Sequence, residues 1–312
     1  MTKIRLGTRA SALAMWQATW VASQLERDGH SVEIVNITTS GDTHSVPLGV
    51  ESGQGVFTKE IQRALLDGRV DLAVHSLKDL PTESIDGLRL AVVPRRASNL
   101  DCLVSKKYAS VADLPRGAKV GTGSARRVAQ LLHERPDLQM HNIRGNVGTR
   151  LSKLDAGQYD AILLAEAGLV RLGFEDRIGE IFAPCRITPA VGQGALALEI
   201  RESDHITADA IRALDDCDTH VAVRAEREML RQLRGGCLAP VGGWARLHAG
   251  RLVLLGVVCS LDGGQRLRVE VDAAVSDAQS LGQTVAERLK SMGSDRLLAD
   301  ARGEDPSADL RL

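Results

Sequence analysis

Two stretches carry side chains whose types and spacing could do chemistry. In HSLKDLP (75–81), Lys78 stands beside Asp79 at the end of the apolar run DLAVH, with His75 and Ser76 just before them. A neighbouring ammonium favours an ionised carboxylate, which can stabilise a developing cation or move a proton. The plainer alternative is a turn with a local ion pair. In LRGGCLAP (233–240), Cys237 follows two glycines at the end of a charged, helix-like run. A thiolate there would be a nucleophile, the glycines would let the backbone approach a bulky group, and Arg231 or Arg234 would favour ionisation. Without such help it is a packed thiol.

Positive charge is also placed against local preference. In KVGTGSARRVAQLL, Ser124 reads as a helix N-cap, with Arg126 and Arg127 in the first turn, where cations oppose the helix dipole. A bound anion would explain both, since a helix N-terminus already attracts one. The same strand, glycine turn and helix return in NIRGNVGTRLSKL, with Arg144 and Arg150 around Gly145 and Gly148, and in LGTRASALA, with Arg9 and Ser11. One such turn is as readily a connection with solvated arginines. Three of them at carboxyl ends of parallel strands point to a ligand bearing carboxylates or phosphates. Neither a phosphate loop nor a dinucleotide-binding glycine pattern is present, so a nucleotide is not the expected ligand.

The elements that must position these residues alternate as βαβ units. KIRLG, SALAMWQATWVASQLERDG, VEIVNI, FTKEIQRALLDG, DLAVH and LRLAVV form one series. DCLVS, AKVGT, SARRVAQLLHERP, LQMHNI, VGTRLSKLDAG and DAILLA form a second of similar size. From about residue 217 the pattern changes to a long helix, the strands WARLH, RLVLLGVVC and QRLRVEV, and a closing helix. SGDTHSVPLGVESGQG (40–55) breaks the rhythm and reads as a lid or as disorder.

Composition narrows the function classes. The 312 residues carry a formal net charge of -1, 44% apolar and 25% charged residues, which suits a globular chain of two or three domains without a whole-protein field for nucleic acid. Eight scattered aromatic residues make no stacking platform for single strands. No apolar run approaches the roughly 20 residues of a membrane span. Arg9 interrupts what would be a secretory signal, so a cytoplasmic chain is expected. The five cysteines lack C-x-x-C spacing, which argues against a disulfide framework and a metal site.

Taken together, LGTRASALA, FTKEI, DLAVHSLKDLP, GTGSARR, IRGNVGTRL, TPAVGQGALALE and GGCLAPVGGWA resemble the porphobilinogen deaminase (hydroxymethylbilane synthase) family in identity and order over nearly the whole chain. The resemblance implies an α/β fold with two lobes like type II periplasmic binding proteins around a cleft, plus a small α+β C-terminal domain. It implies a catalytic lobe at 1–98 and 195–216, a carboxylate-binding lobe at 99–194 and a cofactor-attachment domain at 217–312. The implied activity joins four porphobilinogen molecules head to tail into hydroxymethylbilane, releasing ammonia, on a dipyrromethane primer held by a thioether to Cys237. The protein is then a cytoplasmic monomer whose partner is the small-molecule substrate, with no nucleic acid and no membrane.

Each pyrrole carries an acetate and a propionate, which gives the arginine-lined turns a purpose. By motif position, Asp79 is the catalytic group. Lys78, Asp79, Ser124, Arg126, Arg127, Arg144 and Gly145 hold the cofactor, and Arg9, Ser11, Lys59, Arg144 and Arg150 hold substrate. Gln54 stands where the family commonly has lysine, and Gly123 and Ala125 replace bulkier or hydroxylated residues. Cys102, Cys185, Cys217 and Cys259 match no motif and read as packed thiols. A two-lobed binding protein gripping a dicarboxylate would use the arginines equally well, but has no need of Asp79 beside Lys78 or of GGC. A cysteine hydrolase would need a histidine against Cys237, and sequence neighbours His220 and His248 do not establish one.

Overall fold

The computed structural model describes residues 1–39, 58–236 and 239–303. Segment 40–55 with Gln54, and Cys237 itself, lie outside the described residues. The chain divides into two compact units. Met1–Ala97 and Gly194–His220 form the first, and Ser98–Gln193 with Val221–Leu312 the second.

The first unit opens with β1 (Lys3–Thr8), α1 (Ala12–Arg27), β2 (Ser31–Asn36), α2 (Lys59–Leu66), β3 (Leu72–Ser76) and β4 (Leu88–Val92). The second begins with β5 (Asp101–Ser105), β6 (Lys119–Gly121), α3 (Ala125–Glu134), β7 (Gln139–His141), α4 (Val147–Asp155), β8 (Ala161–Ala165), α5 (Glu166–Arg171) and β9 (Ile178–Ile181). The chain returns to the first unit for β10 (Leu196–Arg201) and α6 (His205–Ile211). It leaves again along α7 (Cys217–Gln232) for β11 (Val241–His248), β12 (Arg251–Cys259), β13 (Arg266–Ala273), α8 (Ala278–Ser291) and α9 (Ser294–Arg302).

The two large sheets share one plan. Their strand orders are β2-β1-β3-β10-β4 and β7-β6-β8-β5-β9. In the first, β1 runs parallel to β2 and β3 while β10 is antiparallel to its neighbours; in the second, β6 runs parallel to β7 and β8 while β5 is antiparallel to its own. The expected α/β class with two similar lobes is borne out. Helix α1 shows how the pattern folds: Ala18, Val21, Ala22 and Leu25 recur on one face and pack on Ile4, Leu6, Leu72 and Leu198. Each large side chain so buried contributes about 1.5–3 kcal/mol. Helix α2 covers the other face through Ile61 and Leu65.

The smaller sheet is antiparallel, in the order β11-β12-β13. RLVLLGVVC is continuously apolar because both faces of β12 are covered. Leu252, Leu254 and Val258 meet the core of α8 and α9, while Leu255, Val257 and Cys259 meet Ala129 of α3. That second contact brings 99–193 and the C-terminal sheet into one compact unit. No helix among the described residues is long and apolar enough to cross a membrane.

Candidate active site

In the first unit the loop after β1 and the end of β3 meet over one pocket. The strands are parallel neighbours, so their carboxyl ends open on the same edge of the sheet. Ser11 caps α1, its Oγ accepting from Ala14 N at 3.4 Å, which turns the chain sharply after Arg9. After β3, Leu77–Asp79 makes a single 3-10 turn anchored by buried Leu77 and Leu80, and Pro81 keeps Leu80 extended so that no helix follows. The turn therefore presents half-buried Lys78 and Asp79. Arg9, Ser11, Thr58, His75, Ser76 and Asp79 line a solvent-open pocket of about 70 Å³. Lys78 and Lys59 are not among its lining residues, and Lys59 is exposed in the first turn of α2.

The floor of this pocket is polar and buried, which the sequence reading did not see. His75 Nε2 lies 3.1 Å from Glu199 Oε2, and Gln62 Nε2 donates to Glu199 Oε1 at 3.0 Å. Gln17 Nε2 donates to Ser76 Oγ at 2.8 Å. The signal was available only as Glu199 and Gln62 inside apolar patterns, where an unpaired polar group is costly.

In the second unit, Arg126 and Arg127 are brought together on a partner the sequence reading missed. Arg126 Nη1 donates to Asp101 Oδ2 at 2.6 Å and to Thr188 O at 2.7 Å, and Arg127 Nε donates to Asp101 Oδ1 at 2.9 Å. Asp101 is 0% exposed and Arg126 3%. Burial alone would raise the Asp101 carboxyl, but the two guanidiniums hold it well below the usual carboxylate range. The anion that accounts for two cations in a first helical turn is thus, in the first place, the chain's own. Two guanidiniums on one carboxylate leave excess positive charge, and the buried Nε of Arg126 has no hydrogen-bond partner among the described residues. Ser124 occupies the N-cap position in extended conformation, yet its side chain makes no cap hydrogen bond, unlike the cap expected of it. Gly123 runs close to the next turn, where a Cβ would stand 3.1 Å from Ile143 O.

That next turn holds Arg144, exposed, and Gly145, whose φ of 110° favours glycine. Asn146 caps α4 by accepting from Thr149 N at 2.9 Å, while Arg150 Nε folds back to donate to Gly145 O at 2.7 Å. The turn after β1 lies in the first unit, and those after β6 and β7 lie in the second, all at carboxyl ends of parallel strands.

Comparison with known proteins decides what this arrangement belongs to. Residues 4–209 match the family described as porphobilinogen deaminase, dipyromethane cofactor binding domain, and residues 220–291 match the porphobilinogen deaminase C-terminal domain. The chain belongs to the porphobilinogen deaminase family. A porphobilinogen deaminase from Syntrophotalea carbinolica is 48% identical over 299 residues, 95% of each chain, and one from Pelobacter propionicus 45% over 301 residues, 96% of this chain and 97% of that one. Among solved structures, an ABC transporter periplasmic substrate-binding protein from Coxiella burnetii matches with a TM-score of 0.43 and 19% identity, covering 68% of this chain and 91% of that one. As a porphobilinogen deaminase with a dipyrromethane-cofactor domain, the chain is a transferase that polymerises porphobilinogen to hydroxymethylbilane.

The deaminase motifs around Cys237 gain structural reasons. Arg234, exposed at φ 49°, and Gly235 close the end of α7, with Gly235 N donating to Leu230 O at 3.1 Å. A Cβ on Gly235 would stand 2.5 Å from Leu230 Cδ1, so this position is tightly packed against α7. Arg231 forks onto Glu228 at 2.8 and 2.9 Å, and that hydrogen bonding lowers the Glu228 carboxyl to about 2. Buried Glu226 accepts from Gly192 N at 2.7 Å and Ala245 N at 2.9 Å, tying TPAVGQG to β11. Of the other cysteines, Cys102 and Cys259 are buried, and burial pushes their thiols up to about 12 and about 11. Cys185 and Cys217 are exposed, which corrects the expectation that all four pack.

Proposed function

We propose that Asp79 is the catalytic group of this polymerisation and Cys237 the attachment point of its dipyrromethane. The observation that carries the first assignment is the strand-end pocket, where Asp79 shares one wall system with Arg9 and Ser11. Four porphobilinogen molecules are joined head to tail with release of ammonia. Each loss of ammonia leaves a cationic azafulvenium, and the Asp79 carboxylate stabilises it, helps expel the amine and assists loss of the α-proton after coupling. Arg9, Ser11, Lys59, Arg144 and Arg150 take the acetate and propionate groups of the substrate.

The residues present fit the dipyrromethane. Excess positive charge on Arg126 and Arg127, the unpartnered Nε of Arg126 and the non-capping hydroxyl of Ser124 suit carboxylates at the N-terminus of α3. With Lys78, Asp79, Arg144 and Gly145 these residues would hold the group. When bound, it supplies the pyrrole carbon to which the first substrate is joined. Segment 217–312 serves as the attachment domain, 99–194 as the carboxylate-binding lobe, and 1–98 with 195–216 as the catalytic lobe, in a cytoplasmic monomer with no nucleic acid and no membrane as partner.

Asp79→Asn tests the assignment. It is expected to keep the fold and the covalent dipyrromethane, seen by intact mass, and to lower ammonia release by roughly 100-fold or more, because the lost charge acts mainly in the transition state. Near-parent turnover would withdraw the role from Asp79.

A further inference from the structure

The pocket contains a second titratable group that the reaction above does not use. His75 lines it together with Asp79, yet is only 5% exposed, because β3 and β10 place His75 and Glu199 on one face of the sheet. Glu199, also 5% exposed, meets His75 Nε2 through Oε2 at 3.1 Å and accepts from Gln62 Nε2 through Oε1 at 3.0 Å. A carboxylate holding one imidazole nitrogen while the other remains basic is the arrangement by which proteins orient a histidine for proton transfer. A ring that donates to Glu199 through Nε2 keeps its lone pair on Nδ1.

We propose that His75, oriented by Glu199, takes the proton displaced at each coupling. This rests on the reading of the pocket as the deaminase site. The balance of the step requires such a group. Porphobilinogen loses its amine as ammonia, breaking a C–N bond. A C–C bond then forms between its methylene carbon and the α-carbon of the acceptor pyrrole, and the C–H bond at that α-carbon breaks. The bonding pair restores the aromatic ring and the proton goes to Nδ1. Imidazolium beside Glu199 is then discharged to the released ammonia, so no further reactant is consumed. Asp79 assists that loss by staying ionised beside the ring cation, while His75 accepts the proton. Protonation of Asp79 would remove the charge that stabilises the next cation.

The test compares His75→Gln, Glu199→Gln and Asp79→Asn as full chains carrying their dipyrromethane. His75→Gln keeps an amide donor for Glu199 but has no basic nitrogen. Intact mass should show full cofactor occupancy, and turnover should fall by roughly 100-fold with KM little changed. Porphobilinogen deuterated at its free α-carbon should be turned over more slowly than the protiated substrate, by a larger ratio than in the parent. Nitrogen-15 NMR of the parent should report the Nε2-protonated tautomer of His75, independently of activity. If His75→Gln does not fold, Glu199→Gln decides, with the same isotope effect and a smaller loss of rate expected. Parent-like turnover, a loss of rate without a larger isotope effect, or the Nδ1-protonated tautomer would each overturn the proposal. Parent-like turnover of Asp79→Asn would instead remove the pocket from the reaction, a separate failure.

Discussion

Replacing Asp101 by asparagine tests whether one buried carboxylate holds the two arginines of GTGSARR. The substitution preserves shape but leaves Arg126 and Arg127, 3% and 5% exposed, without their counter-ion. Removing one partner of a buried pair costs about 3–5 kcal/mol. At roughly 2–4 °C per kcal/mol for a unit of this size, the melting temperature should fall by roughly 6–20 °C. The pH dependence follows from the depressed carboxyl of Asp101. Its contribution is present above the unfolded value of about 4 and is lost only as pH falls through the lower folded value. The gap between parent and variant should therefore hold from neutral pH down to about 5 and close only in strong acid. Scanning calorimetry across that range measures the gap, and amide exchange over Ala125–Glu134 locates the weakened segment. A variant melting within roughly 2 °C of the parent at pH 7 would refute the reasoning.

Arg144→Ala and Arg126→Ala should differ. The first removes an exposed arginine and should raise KM roughly ten- to a hundredfold, through loss of one charge-assisted pair, without lowering the melting temperature. The second also strips Asp101 of a partner and should lower it by several degrees; equal melting temperatures for the two would contradict the placement of Arg126. Iodoacetamide on the native protein, followed by peptide mapping, should label exposed Cys185 and Cys217 while sparing Cys102 and Cys259, whose thiols are buried and pushed up to about 12 and about 11. Rapid labelling of either buried thiol would count against that packing.

Much of the fold was legible because period and punctuation agree. The apolar runs and helical stripes of α1, β3, α3 and β12 are local signals, and Pro81 and Ser11 mark where the chain must turn. The pairing of distant side chains was not legible. Arg126 and Arg127 read as anion-binding residues because Asp101, 25 positions earlier, looks like the polar start of a strand, and only sheet order brings it beneath α3. His75 and Glu199 are 124 positions apart and meet through the antiparallel return of β10. The packing of Leu230 against Gly235 is likewise a contact that residue type alone does not announce. Cys185 and Cys217 follow the same rule: residue type favours burial, but only packing decides it.

The central claim is that a dipyrromethane fixed to Cys237 primes the polymerisation, and intact-mass analysis of the purified protein with peptide mapping tests it most directly. The parent should exceed its sequence mass by one dipyrromethane, mapped to the peptide containing Cys237, and Cys237→Ser should be folded, without the adduct and almost inactive. An adduct mapped to Cys102, Cys185, Cys217 or Cys259, or an active parent with no adduct at all, would contradict the account.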